Sequence, residues 1–436
     1  MKHLVLFNPD QYRGDVVGCL GNPAAVTPTL DALVETDGVL FSQAYCQNPV
    51  CTPSRCSFMT GWYPHVRGHR TMYHMLQPEE PMLLRTLKQA GYWVWWGGKN
   101  DVVPGQGGFG DYCTVKHEPG PSANMHADLS WRGPAEGDDY YSFYAGCWPP
   151  AAQDSDWSHV REAVRVIESY DGTQPLCLYL PLSYPHPPYG VEEPYFSRID
   201  RGLLPPRQPV PDTVKPAIEA GIRQGQGLTG WEESRWQELR ATYYAMCNRI
   251  DEQLGLVLDA LKRRGIYEDT AVCFFSDHGD YTGDYGLVEK TQNTFEDCLT
   301  RVPLLIKPPR DAGARPGIRQ GLVELVDIPA TVLDLLDLPP LSYTQFGRSL
   351  RPMLQGEEAG RDAVFCEGGR LHGERQAMEL ASLPEEGREQ TPYWPRLSQQ
   401  MQEGPAHTKA AMVRTATHKY VRRLYESDEL YDLADR

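Results

Sequence analysis

The segment Cys51-Thr52-Pro53-Ser54-Arg55 has the residue types of an anion-handling site. Thr52 suits an N-cap and Pro53 suits the first helical position, where its missing N–H costs nothing. Gly61 then provides a stop one or two turns later. This reading leaves the Cys51 thiol at the positive end of a short helix, among free N–H groups. Arg55, one turn on, can point back at the same spot. Elsewhere, Asp10-Gln11 and Asp277-His278 could together hold one divalent cation. Asp and Gln supply hard oxygen ligands suited to Ca²⁺ or Mg²⁺, and His278 widens the choice towards Mn²⁺ or Zn²⁺.

These groups need elements to bring them together. Leu4-Val5-Leu6-Phe7 reads as a buried strand with Asp10-Gln11 at its carboxyl end. Tyr92 to Trp96 reads as a second, ending in Gly97-Gly98-Lys99. Leu176 to Leu182 is a third, followed by Tyr184-Pro185-His186. Ala271 to Phe275 is a fourth, followed by Ser276-Asp277-His278. Continuous apolar strands suit a mostly parallel sheet covered on both faces, whose ligands collect beyond the carboxyl ends. Helical patterns lie between them: from Thr27, from Pro81 to Ala90, from Asp156 to Ser169, from Trp231 to Arg264, and from Leu322 to Leu336. The alternation predicts an α/β fold.

Cys51-Thr52-Pro53-Ser54-Arg55, continued by Phe58-Met59-Thr60-Gly61, resembles the signature of the type I sulfatases, a family of the alkaline phosphatase superfamily. The resemblance implies that Cys51 is oxidised to Cα-formylglycine by a maturation enzyme, and that the hydrated aldehyde is the nucleophile. It implies a metal set of Asp10, Gln11, Asp277 and His278 joined by an oxygen at position 51, with Ca²⁺ first and Mn²⁺ or Mg²⁺ as alternatives. The family's commonest first pair is Asp-Asp, so Gln11 is a departure. Gly98-Lys99, the segment around His186, and Gly286-Leu287-Val288-Glu289-Lys290 resemble the family's substrate-handling segments. Arg55, Lys99, His186 and Lys290 are therefore the expected catalytic cations. The family's Gly-Lys-x-His is Gly98-Lys99-Asn100-Asp101 here, and Asp101 or His126 is the expected substitute for that histidine.

In the implied mechanism the hydrate attacks sulfur in line, Lys290 or His186 assists the leaving oxygen, and Arg55 and Lys99 steady the hydrate and sulfate oxygens. The two lysines are expected to matter for turnover and little for stability. The substrate class is a small-molecule or saccharide sulfate ester. Phosphonate monoester or phosphodiester hydrolysis is the nearest alternative. A two-metal phosphatase or mutase needs more ligands than the chain offers, and an unmodified chain that only binds sulfated ligands is the reading from another class.

The chain has 436 residues, 41% of them hydrophobic and 23% charged, as ordinary globular proteins do. A net charge of −16 argues against nucleic acid or an anionic membrane as partner. Met1 to Phe7 is too short for a signal peptide, so a cytoplasmic location and reduced cysteines are expected. The oligomeric state is left open, a homo-oligomer included. A catalytic α/β domain is expected over 1–360 and a small α+β subdomain with an antiparallel sheet over 361–436. Gly105 to Trp148 reads as a long insertion, Tyr195 to Gly230 as a surface loop, and Glu379 to Thr408 as a polar flexible stretch. Tyr140, Tyr141, Tyr144 and Trp148 are the expected pocket walls.

Overall fold

Along the first strand, His3–Pro9, alternate side chains enter different layers. Leu4 and Leu6 join one apolar cluster, and Val5 and Phe7 join another. Each fully buried side chain of this kind contributes about 1.5–3 kcal/mol, so both faces of the sheet must be covered. The computed structural model describes residues 1–119, 129, 131–149, 154–213, 215–357, 359–379, 385–402 and 404–434.

The central sheet has eight strands, in the order Gly317–Arg319, Val39–Phe41, Leu304–Lys307, Thr270–Phe275, His3–Pro9, Leu176–Leu182, Trp93–Gly97 and Val115–His117. Leu304–Lys307 alone runs against the rest. One face carries the helices Pro28–Thr36, Ser155–Glu168 and Glu233–Arg264. The other carries Cys51–Thr60, Leu83–Gln89 and Asp327–Leu335. The longest, Glu233–Arg264, buries Ile250, Leu254, Val257, Leu258 and Leu261, and stops at Gly265 with φ 77°. Its Asp251 accepts from the backbone N–H of Thr29 and Leu30 at 2.9 Å each, so a long-range carboxylate caps the helix Pro28–Thr36. Among the described residues no helix is long and apolar enough to cross a membrane.

A second sheet, Val364–Gly368, Ala410–Arg414, His418–Arg423 and Glu429–Asp432, is antiparallel throughout. The expected fold class, a mostly parallel α/β sheet with a small C-terminal antiparallel sheet, is the one observed. The small sheet packs beside the catalytic loop: Glu367 N donates to Gln47 O at 2.9 Å, and Asn48 Nδ2 donates to Glu367 O at 2.7 Å.

Several local expectations are corrected. Leu322 to Leu336 is not one helix, because Val323–Glu324 pairs with Ala44–Tyr45 before the helix begins at Asp327. The stretch from Tyr195 is not only loop: Ala217–Gly225 is helical and buries Ile218 and Ile222 against Tyr281 and Leu287. In the polar stretch after Glu379, Trp394–Gln400 is a helix with Leu397 and Gln400 buried. The insertion after Gly105 supplies an edge strand of the main sheet, Val115–His117, and the short strand Tyr144–Cys147, which pairs with Tyr189–Val191.

Candidate active site

The strands His3–Pro9, Thr270–Phe275, Trp93–Gly97 and Leu176–Leu182 all end on one edge of the sheet, and there they deliver Asp10, Asp277, Lys99 and His186. The helix Cys51–Thr60 starts at the same edge. Its first residue is Cys51 itself, with Val50 as the extended N-cap (φ −136°, ψ 147°). Thr52 is therefore not the cap, and its hydroxyl donates to Met72 O at 3.1 Å instead. Gly61 does stop the helix, at φ 75°. Every residue of this helix is buried. Gly98 is required before Lys99: its φ is 131°, and a Cβ there would stand 2.2 Å from Pro181 O.

Cys51 Sγ lies 3.2 Å from His278 Nε2, 3.5 Å from Asp10 Oδ1 and 3.7 Å from Lys99 Nζ. Asp10, Cys51, Asp277 and His278 offer ligand atoms all within 4.8 Å of one another. His278 Nδ1 faces Gly279 O at 2.9 Å, which assigns its proton to Nδ1 and leaves the Nε2 lone pair aimed at the cluster. Burial lowers the pKa of His278 and so favours the neutral, ligating form. Two carboxylates and a neutral imidazole make a donor set fit for one divalent cation.

Arg55 is wholly buried and spans the two carboxylates, with Nε to Asp277 Oδ2 at 2.8 Å and Nη2 to Asp10 Oδ2 at 3.0 Å. It is not in the cavity lining, and its Nε and Nη2 are engaged by the two carboxylates. Lys99 Nζ is 2.6 Å from Asp10 Oδ2 and 2.9 Å from Asp101 Oδ2. Burial opposes ionisation of Asp10, but Lys99 and Arg55 outweigh it and hold the carboxyl well below its ordinary value. Burial, with Asp10 reinforcing it, pushes the Cys51 thiol far above the ordinary thiol range. The unmodified thiol is thus a poor nucleophile at neutral pH.

Gln11 is tied to the cationic side of the site. Its Oε1 accepts from Lys290 Nζ at 2.6 Å and its Nε2 donates to Asp280 Oδ2. The reason is local: Gln11 has φ 69°, and this left-handed backbone turns its side chain towards Asp280 while its N–H bonds Asp277 Oδ1 at 3.0 Å. Lys290 is only 4% exposed and pairs with Glu289 Oε1 at 2.7 Å, so its loss would leave buried partners, against the expectation that it matters little for stability.

A cavity of about 820 Å³ opens over Cys51 and is lined on its polar side by Lys99, Asp101, His186, Lys290 and Arg396. His186 Nδ1 lies 2.7 Å from Pro187 O. His126 falls outside the described residues. The expected aromatic walls are corrected. Tyr140 packs under Arg132 (3.5 Å from its guanidinium carbon to the ring centre), Tyr141 packs edge-on to Tyr140, and Trp148 Nε1 donates to the Tyr184 hydroxyl at 2.8 Å. Tyr144 lies outside the lining as well, on the strand paired with Tyr189–Val191. Trp131, Phe143 and Tyr393 form the wall instead, with the Phe143 and Tyr393 rings 5.2 Å apart.

The sulfatase family model matches residues 2–338. The chain belongs to the sulfatase family. Arylsulfatase K of Rattus norvegicus is 24% identical over 386 residues, covering 83% of this chain and 64% of that protein. The chain thus spans less than two thirds of that relative's length. Choline-sulfatase of Rhizobium meliloti is 28% identical over 363 residues, covering 76% of this chain and 67% of that protein. In fold, this sulfatase-family chain resembles the phosphonate monoester hydrolase of Agrobacterium radiobacter, with a TM-score of 0.71 at 23% identity over 100% of this chain and 90% of that one.

Sequence reasoning missed Tyr393, Arg396, Glu289 and Asp280. Asp280, two residues past His278, was within reach of a motif reading. Arg396 and Tyr393 carried no signal of their own, because a short helix does not announce where it docks.

Proposed function

We propose that this chain hydrolyses sulfate monoesters, with position 51 as nucleophile after conversion of Cys51 to Cα-formylglycine by a maturation enzyme. The observation that carries the reading is Cys51 at the cavity floor, beside Asp10, His278 and Lys99, with its thiol held protonated. Formylglycine supplies a hydrated aldehyde: one hydroxyl attacks sulfur, and loss of the other's proton later expels sulfate and restores the aldehyde. Asp10, Asp277 and His278 would hold a divalent cation beside position 51, and such an ion would supply positive charge there. Ca²⁺ is the first choice because oxygen donors dominate the set, and His278 also suits Mn²⁺.

The remaining work falls to the chain's own groups. Arg55 keeps both carboxylates ionised and oriented. Lys99 places its ammonium beside position 51, where it offsets charge on the sulfate oxygens. Lys290, held by Gln11 and Glu289, and His186 face the cavity and stabilise the leaving oxygen as the S–O bond breaks. Asp101, joined to Lys99 and lining the same cavity, takes the place of the family's histidine as base when the intermediate collapses. Trp131, Phe143 and Tyr393 offer flat apolar faces, which suit a leaving group with a ring, aryl or saccharide.

The test compares turnover of an aryl sulfate, an aryl phosphonate monoester and an aryl phosphodiester on protein whose residue 51 is shown modified by peptide mass spectrometry. The sulfate ester is expected to react fastest. A phosphonate rate above the sulfate rate overturns the reading, as does turnover undiminished in protein carrying only intact Cys51.

A further inference from the structure

Arg396 stands on the helix Trp394–Gln400, beyond residue 338, where the family match ends. It is 6% exposed and reaches the cavity. Its Nη1 donates to Glu289 Oε2 at 2.6 Å and to the Lys290 carbonyl at 2.9 Å, and its Nη2 lies 3.2 Å from Glu379 Oε2. Glu289 is therefore shared between two cations, Lys290 on Oε1 and Arg396 on Oε2. Glu289 also sits at φ 64°, with its backbone N–H held by the Tyr189 hydroxyl at 2.8 Å. A strained, buried residue fixed from three sides and joined to two cavity-lining cations is a mark of imposed geometry.

We propose that Arg396 is a positioning residue for ester cleavage: by holding Glu289 and the Lys290 carbonyl, it keeps the Lys290 ammonium turned to Gln11 and the leaving oxygen. This inference rests on the function proposed above. Without Arg396, Glu289 keeps a single buried counter-charge, the Lys290 ammonium already 2.7 Å from its Oε1, and that ammonium alone must balance the carboxylate. The field that Lys290 projects into the cavity then falls. In low dielectric such a change acts most on the group where charge develops, which is the leaving oxygen. Arg396 acts through Lys290 and need not touch the substrate.

The test is a leaving-group series measured on fully modified protein, with aryl sulfates of rising phenol pKa and the matching aryl phosphonates. Arg396→Gln is expected to lower kcat with KM little changed. The loss is expected to be about tenfold for the best leaving group and about a hundredfold for the poorest, the scale of lost support behind a site residue. Arg396→Lys should restore part of the rate. The double variant Arg396→Gln/Glu289→Gln should recover part of the rate lost in Arg396→Gln, because the carboxylate that competes for the Lys290 charge is gone, and Arg396→Met serves as the second single variant if Arg396→Gln folds poorly. Equal losses across the series in Arg396→Gln and Arg396→Met, no loss, or no recovery in the double variant overturn the inference. A wild-type enzyme active only on phosphonates overturns the sulfatase reading instead, and the slope in that series still decides the role of Arg396. A wild type inactive on both series overturns both.

Discussion

Replacing Arg55 by Met tests the electrostatic core of the site. The guanidinium and both carboxylates it spans are fully buried, at 3.0 Å from Asp10 and 2.8 Å from Asp277. After the change Asp10 still has Lys99 at 2.6 Å. Among the described residues Asp277 then keeps backbone N–H groups at its Oδ1, from Gln11 and His278 at 3.0 Å each, a 3.5 Å contact from the Ser276 hydroxyl, and the neutral His278 ring at 3.9 Å. Most of the penalty therefore falls on Asp277. Removing one partner from a buried ionic set costs about 3–5 kcal/mol, because a charge is left without compensation. We expect that loss in equilibrium urea unfolding with chelator present, and an intermediate loss for Arg55→Lys, which can serve one carboxylate but not both. A divalent cation should bind the Met variant more tightly than wild type, since two carboxylates have lost a counter-charge. Ligand at 100 times its Kd stabilises by about 2.7 kcal/mol, so a tighter Kd gives the variant the larger rise in Tm at equal metal concentration. A variant within about 1 kcal/mol of wild type in chelator, or one with no larger metal response, would refute this account of the site.

Other substitutions probe the remaining parts. Asp277→Asn should abolish binding of one equivalent of Ca²⁺ or Mn²⁺ in calorimetry, and retained stoichiometry would remove Asp277 from the ligand set. Lys290→Ala should lower kcat/KM by about 10²–10³ and, unlike a surface lysine, also destabilise by about 1–3 kcal/mol through the buried partners it leaves. Tyr393→Ala should raise KM for ring-bearing esters and leave small alkyl esters nearly unchanged, as steady-state kinetics would show. Burial pushes the Glu324 carboxyl up to about 7, with Arg361 opposing. The folded state then holds a proton that the unfolded chain has released, so stability falls as pH rises from about 4.5 to about 7. Glu324→Gln should flatten that part of the Tm-against-pH curve, and an unchanged slope would count against the shift.

The catalytic half of the site was legible because its residues sit next to strand ends. A short apolar run such as Leu4 to Phe7 or Ala271 to Phe275, flanked by polar turn residues, reads as a buried strand, and the polar residue after it then emerges at the sheet's carboxyl edge. That logic placed Asp10, Lys99, His186 and Asp277 at one edge without any knowledge of contacts. For Gln11 it gave the place at the strand end but not the neighbours, Lys290 and Asp280, that its side chain bonds from a left-handed backbone, because φ at a single position is decided by what surrounds it. It failed also for Arg55, whose position one turn from Cys51 was readable but whose bonds to the two carboxylates were not.

What the residues determined by themselves was periodicity: strand against helix, the chain order of the elements, and the groups that follow each strand. Tertiary structure alone decided which distant segments meet. Tyr393 and Arg396 reach the cavity from a helix whose local pattern fits any surface, and Trp131 and Phe143, not their tyrosine neighbours, turn inward. Docking of that kind depends on long-range shape and charge, here a carboxylate at Glu289 waiting for a guanidinium more than a hundred positions away. Local spacing carries no record of such a partner.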